Sequence, residues 1–530
     1  MNRPRMTGAR ALLPVALHQD ARALAPWVVL ISALSASSIL AYSLVFPDPS
    51  ERAALSATVG ANPALALIFG QARDLMTAEG FNTWRAGMLG AFFAGLMAIL
   101  AVVRNSRAHE DSGQAELLAS SVMSRPTRLG VSVAIAVVAS LALGLLSWLV
   151  TMAFGGAPVD SLLLSATFTA SALVFAGVAA VAAQVGSDAR SASSMAIGVL
   201  GALFVLRGYL DARQVGTWRT WVTPFGWLER VGPASDNDPW PLLLALGTAA
   251  ALVAVAFALQ SRRDFGMGLV PPRRGPARGR WEATLWGVVA RLNAGTVVTW
   301  LLAFVVLGFV FGFLATAVGD VLAANPAIAH ALAGGAVTRA ELTAQFLATV
   351  LSLAGIIAAI VGVQVVMRVH VEETNDRVDP LLAGCVSRPS YLAANTVQAL
   401  AAPAAALVVA GSIIATVAAD RADLTWGQVF GQAMATVVGS WVLVALAVAV
   451  VGARPQLRLV GWLGLVAAFA LTILGPLFKL WDWILGISPF WHVPDVAGAS
   501  PDWTGFAWLG LAIVALVTVG FVGFRRRDIA

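Results

Sequence analysis

Two polar stretches decide how this chain is read: EDSGQAELLASSVMSRP, from Glu110 to Pro126, and EETNDRVDPLLAGCVSRP, from Glu372 to Pro389. Each is a charged island between long apolar runs. Each carries acidic residues, then Leu-Leu-Ala, then Ser-Arg-Pro. Glu110 and Glu373 lie 263 residues apart, as do Glu116 and Asp379, and Ser124 and Ser387. The pair Leu117-Leu118 reaches Leu381-Leu382 at an offset of 264, because the second island gains Pro380 and lacks a counterpart of Met123. Working outward, Asn62-Pro63-Ala64 recurs as Asn325-Pro326-Ala327 at 263, and Pro224-Phe225 as Pro489-Phe490 at 265. Arg262-Arg263-Asp264 recurs as Arg526-Arg527-Asp528 at 264. One shared order at a near-constant offset marks two tandem halves.

The composition is 59% hydrophobic and 12% charged, with a mean hydropathy of +0.81. A soluble domain carries about 25% charged residues. Apolar runs long enough to cross a hydrocarbon core of about 30 Å recur along the chain. The fold class that follows is an all-α polytopic membrane protein. The net charge of +6 arises from 34 basic residues, of which only Lys479 is a lysine. Arginines retained in cytoplasmic loops explain this charge without nucleic acid. The single cysteine, Cys385, excludes an internal disulfide. The first apolar run has no convincing cleavage site and is expected to stay as a helix.

Spanning helices are expected at about 26–46, 86–103, 129–154, 161–185, 194–211 and 240–260, and again at about 297–318, 344–367, 391–418, 426–451, 457–478 and 506–524. That is six plus six. Before the first lies an amphipathic segment with Arg3, Arg5, Arg10 and Arg22, expected to rest in the membrane interface and to bend at Pro14. Its counterpart places Trp281, Leu285, Val288 and Leu292 on one helical face. With both termini inside, the cytoplasmic segments hold 24 arginines and the remainder ten basic residues, which favours this orientation. Residues 1–260 and 281–530 are the two transmembrane halves. Residues 261–280, rich in Arg, Pro and Gly, form an irregular cytoplasmic linker whose arginines contact anionic headgroups or merely set topology. Between the fifth and sixth helix of each half, TPFGW (Thr223 to Trp227) and SPFWHVP (Ser488 to Pro494) suggest a re-entrant hairpin or an ordinary surface turn.

The chemistry missing from the chain is informative. The one lysine has no Gly-rich loop before it, so no P-loop is present. The histidines His18, His109, His330, His370 and His492 form no HExxH or Cys/His ligand set, and no metal site is expected. No catalytic constellation stands out, so no enzyme is expected. Ionisable groups are scarce within the spans. Arg207, near the outer end of the fifth helix, is the main exception, placed either against an anionic part of a cargo or snorkelling to outer headgroups. A self-powered carrier ordinarily needs buried carboxylates or histidines.

A loop after the second helix of each six-helix half, with E-x-x-G-x-x-E-L-L and then V-x-R, resembles the ABC-2 type permeases. Over nearly its full length the chain is most similar to actinobacterial permeases that export polyketide antibiotics, the tetronasin type among them. The resemblance implies two fused halves, each preceded by an elbow helix, here at about 8–24 and 281–293. It also implies two copies of a separate ATPase subunit, which supplies ATP and Mg, with no cofactor in this chain. The islands, within loops 104–128 and 368–390, would hold the coupling helices. The matching positions in the first are Glu110, Asp111, Gly113, Glu116, Leu117, Leu118 and Arg125. In the second they are Glu372, Glu373, Arg377, Asp379, Leu381, Leu382, Val386 and Arg388. The second departs from the pattern at Asp376, where the family has Gly, and inserts Pro380. The first has Gln114 where Arg is common.

The residues give their own reason for such a role. Charges orient a docking element by charge-assisted hydrogen bonds, and a Leu pair supplies a desolvated anchor. The plainer reading is a solvated loop. The expected activity is ATP-driven export of hydrophobic or amphiphilic compounds across a bacterial inner membrane. The cargo path would run between the halves, past Phe92, Phe93, Phe204, Arg207, Trp300 and Phe304. The alternatives are a secondary multidrug carrier with six-plus-six repeats, an exporter of lipids or envelope precursors, and a non-transporting scaffold.

Overall fold

The structure, a computed structural model, describes residues 8–60, 66, 68–111, 125–212, 216–263, 267–270, 284–324, 339–384, 386–419, 424–477, 481–496 and 501–527. Glu116, Gly113, Leu117 and Leu118 lie outside these residues, as does the side chain of Arg125. Among the described residues there is no strand. Twelve helices among the described residues are long and apolar enough to cross a membrane, which makes this a multi-pass membrane protein.

The chain divides into two compact units, Met1–Arg274 and Gly275–Ala530, so the boundary falls inside the Arg/Pro/Gly stretch. In the first unit the spanning helices are α1 (Ala9–Val45), α3 (Ala78–Val103), α4 (Arg125–Ala153), α5 (Pro158–Val185), α6 (Ala189–Ala212) and α8 (Trp240–Gln260), with short helices α2 (Pro49–Gly60) and α7 (Pro224–Arg230) between them. In the second they are α9 (Leu285–Ala324), α10 (Arg339–Thr374), α12 (Arg388–Ala418), α13 (Trp426–Ala453), α14 (Leu459–Leu477) and α16 (Thr504–Arg526), with α11 (Asp379–Leu382) and α15 (Asp482–Leu485) as the short ones.

Each unit is built around its second and fourth spanning helices. In the first, Ala91, Ala94 and Ala98 of α3 meet Phe168 and Phe175 of α5, all fully buried. In the second, Val363 and Val366 of α10 meet Val444, Ala447 and Val448 of α13. Small residues let backbones approach, which is how helices associate where lipid gives no hydrophobic drive. The last helix lies on the fourth along such a seam. A Cβ on Gly452 of α13 would sit 2.2 Å from the carbonyl oxygen of Gly520 on α16, so neither position admits a side chain without separating the helices.

Two expectations change in detail. The segment expected as a separate interfacial helix over 8–24 runs unbroken into the first span, with Pro14 and Pro26 inside one 37-residue helix. A single buried stripe, Ala16, Asp20, Leu24 and Ile31, explains the continuity, because it keeps one face against the unit across both prolines. The described part of 281–293 likewise continues into α9 without a break. Between the fifth and sixth helices, Thr223 caps α7 by accepting from Gly226 N at 3.1 Å, and Phe225 is driven fully into the core. Its echo is a 3₁₀ turn, Pro489–His492, whose Phe490 fills a notch left by Gly355 and Gly439.

Candidate functional site

The island-side end of the second helix forms a polar corner in each unit. In the first, α3 widens into a π-helical turn over Arg104–Ala108 before ending at His109–Asp111. Such a turn commonly marks a functional position, because it re-aims the side chains that follow. It turns Arg107 inward until 1% of the side chain is exposed. The guanidinium donates from Nε to the Ala183 carbonyl (2.5 Å), from Nη2 to the Met267 carbonyl (3.1 Å) and from Nη1 to Glu110 Oε2 (2.9 Å). Arg263, just past α8, donates to both oxygens of Glu110, at 2.7 and 3.2 Å. Glu110 therefore lies between two arginines.

Asp111 reaches the next element. Its Oδ2 accepts from Ala189 N at 2.7 Å, in the first turn of α6, where a negative charge opposes the helix dipole favourably. Asp188 caps the same end. Burial alone would raise its carboxyl, but hydrogen bonds from Ser191 and Ser187 outweigh burial and hold it below the usual carboxylate range. On the other side Arg104 pairs with Asp20 of α1 at 2.9 Å, and Asn105 donates to the same carboxylate. The end of α3 is thus tied to α1, α5, α6 and the residues following α8.

The second unit repeats this corner with changed residues. Glu373, 4% exposed, accepts from Arg527 Nη2 at 2.6 and 2.7 Å. His370 stands where the first unit has Arg107, its Nδ1 4.0 Å from Glu373, while its Nε2 accepts from Arg458 Nη1 at 3.0 Å. Glu372 pairs with Arg368 at 3.2 Å and with Arg377 at 3.7 Å. Arg368 also donates to the Leu292 carbonyl of α9. Arg388, at the start of α12, donates to the carbonyl of Arg527 at 3.0 Å.

The described island continues from there. Arg377 N bonds to the Glu372 carbonyl and Asp376 N to the Glu373 carbonyl, which is the Schellman closure of a helix end. Asp376 occupies the left-handed position of that closure, with φ of 56°. At this position of the repeat the first half has Gly113, the residue type that enters the left-handed region without a steric cost. Val378 then turns inward, and α11 presents Asp379 and Pro380 to the outside while Leu381, Leu382 and Val386 are half-buried against their own unit. A cavity of about 310 Å³ lies beside each corner, between α1 and Arg263 in the first unit and beside His370, Arg458 and Trp462 in the second, so each island borders a notch.

The residues expected along a cargo path are placed as follows. Phe92 packs edge-on to Phe93 and Phe204, and Phe204 to Phe225, so all four share one aromatic cluster of the first unit. Trp300 donates to Gln364 at 3.0 Å, and Phe304 is fully buried within the second unit. Arg207 does not snorkel. It is 2% exposed, stacks on Phe204 at 4.7 Å, donates to the carbonyls of Ala66 and Ile68 (both 3.1 Å) and pairs with Asp211 at 3.2 Å. The carbonyls of Ala66 and Ile68 and the Asp211 carboxylate take up its donors. Among the described residues no group of three or more His, Cys, Asp or Glu could hold a metal.

Sequence reasoning missed Arg107, Arg263, Arg527 and Asp20 as parts of the site. The signal was present for two of them, since Arg263 and Arg527 repeat at 264 beside glutamates that repeat at 263.

Comparison with known proteins agrees with the duplication. A profile described as the C-terminal domain of the multidrug efflux system permease Rv1217c matches the chain over residues 21–259 and 283–525, one segment in each half. The chain belongs to this family. Across its whole length it is also 37% identical to the multidrug efflux system permease protein Rv1217c of Mycobacterium tuberculosis (strain ATCC 25618 / H37Rv), over 535 residues covering 99% of this chain and 95% of that protein. Membership of the Rv1217c-type permeases places the corners just described in a transport protein, in both of its repeats.

Proposed function

We propose that the chain is the permease subunit of an ATP-driven ABC exporter in a bacterial inner membrane, with both termini cytoplasmic. The observation that carries this reading is the repeated corner. In each half a carboxylate at the end of the second helix is anchored by buried ionic contacts, and in the second half α11 projects from that anchor with Asp379 and Pro380 exposed. An element held rigidly from behind and free in front suits transmission of force from a soluble partner. That partner is an ABC ATPase, bound as two copies, one per island, and it supplies ATP and Mg. The relative's designation as a multidrug efflux permease supports amphiphilic cargo such as polyketides and other drugs. The tetronasin-type assignment belongs to this reading.

The buried charges favour an external energy source. Among the described residues the buried ionisable acidic and basic groups are Asp20, Arg107, Arg207, Asp211 and Glu373, and each has an ionic partner. None forms a proton relay across the middle of a span. ATP closes the partner subunits and drives the switch only to the extent that it favours one state of the permease.

The test is purification of the tagged chain from membranes together with its ATPase. Two ATPase subunits per chain are expected, and Glu116→Ala combined with Asp379→Ala should abolish both co-purification and drug export. Export that continues without any ATPase and collapses with the proton gradient would replace this reading with a secondary carrier.

A further inference from the structure

The motif Arg262-Arg263-Asp264, which follows the last helix of the first half, recurs as Arg526-Arg527-Asp528 in the second. The second arginine of each reaches back across the fold to the glutamate that ends the second helix. Arg263 holds Glu110 at 2.7 and 3.2 Å, and Arg527 holds Glu373 at 2.6 and 2.7 Å. The carboxylate side chains are 10% and 4% exposed, so these are not solvated surface pairs of small worth. Both contacts engage the two carboxylate oxygens: Arg263 does so with two nitrogens, a geometry that fixes direction as well as distance, and Arg527 with Nη2 alone. Each arginine is fastened at a second point. Arg263 also donates to the Met267 carbonyl at 2.9 Å. Arg527 stacks on Phe524 at 4.9 Å, and its carbonyl accepts from Arg388.

We infer that Arg263 and Arg527 are positioning residues for coupling: each ties the last helix of its half to the island, so that the two move as one piece when the island is displaced. The inference rests on the islands being the ATPase-docking elements. The α13–α16 seam brings Gly452 and Gly520 into backbone contact, and at its end Phe524 is fully buried and stacks on Tyr391. The arginine sits at the end of that seam and fixes the register. Because the same pair was retained in both halves, each half carries its own tie.

The experiment uses the full chain with its ATPase in nanodiscs. Cys385→Ala removes the native thiol, and spin labels are placed at Asp379→Cys on the island and Val522→Cys on the exposed face of the last helix. In the otherwise unaltered chain, trapping with ATP and vanadate should leave the label-to-label distance unchanged. In Arg527→Met the ATPase should still co-purify, while trapping changes that distance. The equilibrium constant of the ATP-driven switch should then fall roughly 5- to 150-fold, the ordinary size of site-to-site coupling. Glu373→Arg combined with Arg527→Glu should restore a fixed distance, which a merely structural role for Arg527 would not. If Arg527→Met does not fold, Arg527→Gln keeps a polar side chain without the charge and is read in the same way. A bound ATPase with the same fixed distance and full switching in these variants overturns the inference alone. No ATPase bound to the unaltered chain overturns the docking reading, and this inference with it.

Discussion

The two corners share a carboxylate and an arginine, and differ in the third partner. In the first half Arg107 completes the site, buried and permanently charged, with two carbonyls as further acceptors. In the second half His370 stands there, half-buried, 4.0 Å from Glu373 and accepting from Arg458 on its other side. Duplication kept the pair that joins two helices and let its neighbour drift. At that place the first corner has a group that stays charged at all ordinary pH values, and the second a group that can gain or lose its charge.

This contrast can be broken at several points. The largest effect is expected from Glu110→Gln, which leaves Arg107 and Arg263 facing each other with no carboxylate between them. Removing one partner of a buried pair costs about 3–5 kcal/mol, to be read as a lowered unfolding temperature in detergent. Glu373→Gln should cost less, about 1–3 kcal/mol, because Arg527 is 16% exposed and keeps water as an alternative partner. Equal losses would show that Arg107 adds nothing to the first corner.

A pH series sharpens the comparison further. Arg458 can only donate, so its contact requires His370 Nε2 to be unprotonated. Protonation breaks that bond and sets His370 between Arg458 and Arg527, with Glu373 as the opposing charge. Acidification that protonates His370 should loosen this contact, seen as faster hydrogen exchange at the start of α14. His370→Gln should remove that response. The smallest effect is expected at Asp376, whose φ is 56°. Asp376→Gly should raise the stability of the second half by about 0.5–1 kcal/mol, since the left-handed strain outweighs glycine's unfolded-state entropy. A loss of stability would mean that the carboxylate of Asp376 makes a contact that matters more than its backbone.

What the sequence made legible follows from range. The spans could be read because hydropathy is a property of contiguous residues, and all twelve fall close to their expected places. The duplication was legible because order and offset survive divergence. The continuity of α1 was not, because Pro14 breaks an isolated helix and only the buried stripe from Ala16 to Ile31 overrides it. The ionic corner was half legible. Glu110 and Glu373 could be marked from their islands, but their arginines stand 153 and 154 residues away, and nothing local pairs them. The burial of Arg207 was hidden for the same reason, since the carbonyls that cover it belong to Ala66 and Ile68, about 140 residues earlier.

The length of α1 has a mechanical consequence. At 1.5 Å per residue its 37 residues extend about 55 Å, nearly twice the thickness of the hydrocarbon core. Asp20, a third of the way along, binds Arg104 at the polar corner, and near the far end the hydroxyl of Tyr42 donates to the carbonyl of Leu75 at 2.8 Å. At about 1.5 Å per residue these two anchors stand about 33 Å apart along the helix, close to one hydrocarbon thickness. A single helix thus joins the polar corner to the loop at Leu75, so a tilt at one anchor loads the hydrogen bond at the other.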